Sequence, residues 1–298
     1  MPDRLLPLPL PLPLPLALVL ASSLALGVPP GVAAPSYDMA RIPGGAFDYG
    51  TDSAEIPQLM LRYGVTDQRV AALFLEEVPR RRVTVASFLM DRTEVTTASF
   101  ARFVAENPRW AKTGDSARTS NGDYLRPWAG GRPPSRSDSL PVTFVTWFAA
   151  TSYCASMGKR LPTEVEWEYA ARGGLVGETF PWGPELPTPS RANYGASGID
   201  APVDVARYPA NRYGLFDMAG NVWEFVADRW TSPRAARSDA ARGNAPWSSN
   251  AEQAAKERVV IRGGSFGGGT INLRVRYRDS HPAGGAAAHV GFRCAKDT

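Results

Sequence analysis

The stretch YGLFDMAGNVWEFVADRW, Tyr213 to Trp230, decides how the chain is read. Gly214 and Gly220 admit backbone conformations closed to residues with a side chain, so the segment Asp217-Met218-Ala219-Gly220-Asn221-Val222-Trp223-Glu224 can curl. Asp217 and Glu224 then aim at one point, with main-chain carbonyls between them. Oxygen donors on irregular backbone suit calcium. The same residues also suit a tight turn in which Asp and Asn bond their own backbone while Trp223 and Trp230 fill the core. Taken alone, the stretch leaves both readings open.

Around it, 298 residues with 44% hydrophobic and 10% aromatic content have room for one large or two ordinary domains with a real core. The 28 glycines and 27 prolines point to a loop-rich architecture in which long helices do not dominate. Net charge is only +4, and the basic residues are scattered apart from Arg80-Arg81-Arg82, which reads as a solvated edge. No nucleic-acid partner is expected.

Met1 to Ala34 has a charged start ending at Arg4, an apolar run from Leu5 to Val28 and small residues at Gly31-Val32-Ala33-Ala34, the pattern of a secretory signal peptide. The Leu-Pro alternation from Leu6 to Leu16 breaks any regular helix and leaves too little for a membrane span. The mature chain, residues 35–298, is therefore expected in the periplasm or outside the cell, with no stable span. In such an oxidising compartment the two cysteines, Cys154 and Cys294, are expected to pair.

In chain order, Arg41 to Phe47 and Arg82 to Phe88 read as strands, with Ala54 to Glu77 an insertion of open structure. Thr97 is placed as the N-cap of a helix over Ala98 to Glu106, and Thr146 as that of Trp147 to Met157. Thr163 and Glu166 form a capping box for Glu164 to Arg172. Ala111 to Asp138 reads as a long surface loop, and Pro181 to Pro209 as loop with short strand. Arg258 to Arg262 is a strand, followed by the glycine-rich Gly263 to Gly269. Leu273 to Arg278 alternates with period two, which puts three arginines on one face, either solvated or walling an anion-binding cleft.

Arg41-Ile42-Pro43-Gly44-Gly45, Gly158-Lys159-Arg160-Leu161-Pro162-Thr163-Glu164-Val165-Glu166-Trp167-Glu168, Gly220-Asn221-Val222-Trp223-Glu224, Arg262-Gly263-Gly264-Ser265 and Gly291-Phe292-Arg293-Cys294, in that order, resemble the formylglycine-generating enzyme (sulfatase-modifying factor) family. The resemblance runs from roughly Met39 to Asp297. It implies an α+β fold, a single compact domain with little regular secondary structure, related to C-type lectins. It also implies a structural calcium on Asp217, Glu224 and the carbonyls of Gly220 and Val222, and a disulfide between Cys154 and Cys294. A second family calcium loop would begin near Asn193-Tyr194, where the segment before Pro202 looks shortened.

Family oxidases carry two cysteines soon after the Gly-Gly-Ser, which bind copper and oxidise a cysteine in Cys-x-Pro-x-Arg to formylglycine. Between Ser265 and Arg278 this chain has none, and it resembles the cysteine-free branch instead. Sulfoxide synthases of the same family hold iron with three histidines, whereas only His281 and His289 exist here. Neither copper nor iron is expected. His281 and His289 read as solvent-facing or as binding residues at the cleft rim. The expectation is an exported binding or accessory (maturation) protein that takes a small molecule, peptide or protein in a cleft of Ser265, Phe266, Asn272, Arg274 and Trp223. The alternatives are a non-copper periplasmic enzyme acting on a small metabolite or peptide and, after that, the formylglycine-generating oxidase itself.

Overall fold

A computed structural model describes residues 38–114, 119–232 and 247–298, so the leader expected over 1–34 lies outside the described residues. Short strands come first: β1 (Met39–Ile42), β2 (Gly45–Tyr49), β3 (Arg81–Val85) and β4 (Phe88–Asp91). The run from Arg82 to Phe88, expected as one strand, divides at Ala86-Ser87 and serves two sheets. β3 pairs with β2, while β4 lies between β1 and the last strand, β9 (Ala295–Asp297). At the break the backbone passes so close that a Cβ on Gly44 would stand 3.0 Å from the Ser87 nitrogen.

The segment 54–77 forms two short helices, α1 (Ile56–Arg62) and α2 (Gln68–Leu75). Helix α3 (Thr97–Glu106) is capped by Thr96, not by Thr97. Thr96 has the extended backbone a cap needs and accepts the Ser99 N–H, whereas Thr97 is buried. Helix α4 (Trp147–Ser156) starts at the Thr146 cap as expected, and α5 (Glu164–Ala171) has both halves of the Thr163–Glu166 capping box. A short helix, α6 (Ala251–Lys256), went unnoticed in the sequence because six residues show no apolar period. No strand forms between Pro181 and Pro209.

The central sheet has the order β7 (Arg278–Pro282), β6 (Arg258–Arg262), β5 (Trp223–Arg229), β8 (Val290–Phe292), with β5 and β8 parallel and the other pairs antiparallel. β5 and β6 are buried on both faces. Phe225, Val259 and Ile261 join Phe100, Phe103, Tyr153 and Phe292 of the α3–α4 side, while Val226 and Val260 join Trp167 and the β1–β4 side. The fold is mixed α and β in one domain.

The alternating run Leu273 to Arg278 is not a strand: Thr270–Leu273 is a 3-10 turn, and β7 begins only at Arg278. Its apolar half does face the core, with Leu273, Val275 and Tyr277 all buried. Its arginines are not a solvated face, because each meets a carboxylate: Arg274 meets Glu77, Arg276 meets Glu55 and Arg278 meets Glu164, and of the three Arg276 also lines a pocket.

Cys154 on α4 and Cys294 just before β9 are joined across a sequence separation of 140 residues. The link holds the last strand to the middle of the chain and limits the unfolded ensemble. Replacing both with Ser is expected to cost about 2–5 kcal/mol in a denaturant melt. Thiol titration of the unreduced, denatured protein should find no free thiol, and two thiols per chain would contradict the pairing.

Candidate functional site

The turn read in Tyr213 to Trp230 is built on left-handed backbone at Asp217 (φ 56°), Gly220 (φ 89°) and Asn221 (φ 57°). A Cβ on Gly220 would stand 2.4 Å from the Asn193 carbonyl oxygen, so only glycine fits there. Asn221 holds the turn shut. Its Nδ2 donates to Glu94 at 3.0 Å, and its Oδ1 accepts the Val203 N–H at 3.0 Å. Asn193, the start of the expected second family calcium loop, donates to the Ala201 carbonyl and, at 3.5 Å, to Asn221 Oδ1, and accepts from Ser197.

Asp217 and Glu224 do not point at one ligand. Glu224 grips Arg293 through both oxygens, at 2.7 and 2.8 Å, and also accepts the Trp167 indole N–H at 2.9 Å. A guanidinium already balances its charge, while Oε1, with one hydrogen bond, keeps a lone pair. Asp217 fits a calcium ligand better. One of its oxygens accepts the Ala206 N–H at 2.7 Å, and the other is buried without a partner. Beside it Glu94, fully buried, also has one orphaned oxygen. Burial raises the pKa of both acids, and Asp217 raises that of Glu94 further. Two buried carboxylates in contact need a proton or a cation between them. Among the described residues no group of three or more His, Cys, Asp or Glu side chains converges as a metal site.

The five residues expected to share a cleft are divided. Asn272 lines an open cleft of about 490 Å³, together with Thr270, Ile271, Tyr63, Leu73 and Leu186. Arg274 lies beneath this wall, its guanidinium paired with Glu77 and stacked on Phe74 (4.6 Å) and Tyr63 (5.8 Å). It is a buried strut, not a cleft residue, because Glu77 supplies inside the protein the anion that a ligand was expected to bring. Trp223 is buried against Tyr277 and Ser265 is buried, while Phe266 is half-buried, with its N–H on the Asn221 carbonyl. No pattern in the chain singles out Tyr63, Leu73 and Leu186. They come from α1, α2 and a distant loop, and only the exposure of Leu186 (52%) and Leu73 (37%) sets them apart.

The comparisons with known proteins agree on one family. Residues 28–298 match the model of the sulfatase-modifying factor enzyme 1-like domain. The chain belongs to this family. The formylglycine-generating enzyme of Bos taurus is 32% identical over 313 residues, covering 91% of this chain and 77% of its own. The inactive C-alpha-formylglycine-generating enzyme 2 of Bos taurus is 33% identical over 305 residues, covering 87% and 88%. Among solved structures, PvdO from Pseudomonas aeruginosa superposes with a TM-score of 0.64 at 26% identity, covering 87% of this chain and 94% of that one.

In this member of the sulfatase-modifying factor family, the motif from Gly158 to Glu168 is structural. Lys159 pairs with Asp91, Arg160 with Glu166, and Glu164 and Glu168 with Arg262. Neither of the two histidines sits with a third ligand. His281 on β7 packs against Phe225, with its ring centre 6.2 Å from that of His289. The Lys256–Glu252 pair lines the same recess. Burial, then the positive neighbours His289 and Arg258, push the His281 pKa down to about 4.

Because the unfolded chain takes up a proton near pH 6.5 that the folded His281 refuses, its contribution is complete above about pH 6.5. It is lost as pH falls toward 4. Denaturant melts of the wild type and His281→Gln should therefore converge between pH 7 and pH 4.5, with the wild type losing roughly 2–3 kcal/mol more than the variant. Parallel losses in the two proteins would contradict the assignment.

Proposed function

We propose that the chain is an exported binding or accessory protein of the sulfatase-modifying factor family that has kept the scaffold without the copper oxidase chemistry. The observation that carries this reading is the cysteine inventory. Cys154 and Cys294 are the two cysteines of the chain, they are bonded to each other, and the segment after Gly263-Gly264-Ser265 offers no thiolate. The family includes a relative described as inactive, 33% identical to this chain, so the reading has a precedent there. Export rests on the sequence of residues 1–34. Among the described residues, no helix is long and apolar enough to cross a membrane.

The ligand is a small molecule or peptide held in the Asn272 cleft. Tyr63, Leu73, Leu186 and Ile271 give that cleft an apolar lining, and Arg62 adds a cation at its wall. Such a lining selects an apolar body with an acceptor or a negative group. Calcium remains a scaffold cofactor in this reading, held by the unpartnered Asp217 oxygen with the Gly220 and Val222 carbonyls and with Glu94 in the place first given to Glu224.

Incubation with Cu(I), oxygen, reductant and a Cys-x-Pro-x-Arg peptide should leave the peptide mass unchanged. Aldehyde formation that stops when copper is chelated would promote the oxidase reading instead. For calcium, chelation should lower the Tm of the wild type through loss of a ligand bound only by the native state, and should do little to Asp217→Ala. A wild type indifferent to every chelator concentration would remove calcium from the account.

A further inference from the structure

A second pocket, of about 290 Å³, lies among β2, β3, the end of α5 and the loop after it, and shares no lining residue with the Asn272 cleft. Four guanidiniums line it, those of Arg80, Arg82, Arg172 and Arg276, with one carboxylate, Asp48. Phe47, Tyr169 and Tyr213 form an aromatic wall, with ring centres 5.2 and 6.2 Å apart along the row. Val176, also lining the pocket, is 87% exposed.

The guanidiniums are not equally satisfied. Arg172 and Arg276 are the most enclosed, and each leaves its Nε–H buried without an acceptor. The acids around the pocket do not cancel the charge on the inner side. Asp48, Asp52 and Glu55, which pair with Arg82, Arg80 and Arg276, are partly exposed and screened by water. Behind α5 three guanidiniums, of Arg172, Arg262 and Arg278, share two carboxylates, Glu164 and Glu168. Asp228 beside them accepts the Glu164 N–H, and burial raises its pKa.

We propose that this pocket binds a small aryl anion, a single flat ring carrying a carboxylate or phosphate group, with the anionic oxygens on Arg172 and Arg276 and the ring along Phe47, Tyr169 and Tyr213. Planar guanidiniums suit two-oxygen anions. The volume is at the lower edge of the range for small-molecule pockets, about 300–1,000 Å³, which fits one ring with its head group. A bare phosphate ion would leave the aromatic wall unused.

The test is calorimetric titration of the mature protein with phenyl phosphate, benzoate, inorganic phosphate and benzyl alcohol. At least one aryl anion should bind, and the stronger of the two tells phosphate from carboxylate. Inorganic phosphate and benzyl alcohol should bind at least about tenfold more weakly, since each lacks half of the recognition. Val176→Asp puts a like charge at the rim on an exposed side chain, so folding is spared, and it should weaken the aryl anion about tenfold or more. Leu186→Asp, in the other cleft, should leave it unchanged, which separates this site from the ligand of the proposed function. The proposal is overturned if no aryl anion gives heat at millimolar concentration with folded protein. Phosphate or benzyl alcohol matching the aryl anions, or weakening by Leu186→Asp without any by Val176→Asp, overturns it too.

Discussion

The ion pair between Glu224 and Arg293 holds the parts of this fold in register. Both side chains are fully enclosed, and Arg293 reaches beyond the carboxylate to the backbone carbonyls of Arg92 and Phe216. One guanidinium thus ties β5, the approach to β9, the turn after β4 and the turn before Asp217. The Trp167 indole on the same carboxylate adds α5. A pair this deep is weak evidence of net stability. Loss of one partner, however, strands a buried charge at a cost of about 3–5 kcal/mol, so the two side chains stand or fall together.

The same device recurs because the chain has so little regular structure. Loops leave carbonyl oxygens that no helix or sheet partner can satisfy, and buried ones need donors. Arg262 meets Glu164 and Glu168 and also donates to the Val275 carbonyl at 2.6 Å, with its guanidinium over the Trp167 ring. Arg278 binds Glu164 through two nitrogens and reaches the carbonyls of Glu76 and Thr231. Arginine suits this role because its five donors can serve a carboxylate and several carbonyls at once. The buried charges that a sequence reader takes for a site are here largely the frame.

That frame also shapes the candidate sites. Arg274 and Glu77 brace the floor beneath Tyr63, so the Asn272 cleft has a rigid wall on one side and the exposed leucines of α2 and of the loop at Leu186 on the other. The orphaned oxygens of Asp217 and Glu94 lie where the frame has no guanidinium left to give them, apart from the longer-range field of Arg293.

The sequence alone determined the family, the mixed single domain, the capping of α4 and α5, the partnership of two cysteines and the curl of the chain at Asp217 to Asn221. The caps and the curl rest on local chemistry, since a Thr side chain accepts the N–H three residues on and Gly220 has no room for a Cβ, whereas the cysteine pairing follows from there being two cysteines in a chain expected to be exported. Its account of the run from Leu273 to Arg278 was half correct, since alternation reports which side chains are buried but not whether the backbone is a strand. What only the tertiary structure decided is who meets whom. That Glu224 meets Arg293, 69 residues on, through both oxygens, and that Arg274 meets Glu77, 197 residues away, inside the protein, could not be read from the chain. Charge pairing over such separations leaves no periodic trace in the chain, because it is set by where the packed elements place the side chains and not by their spacing.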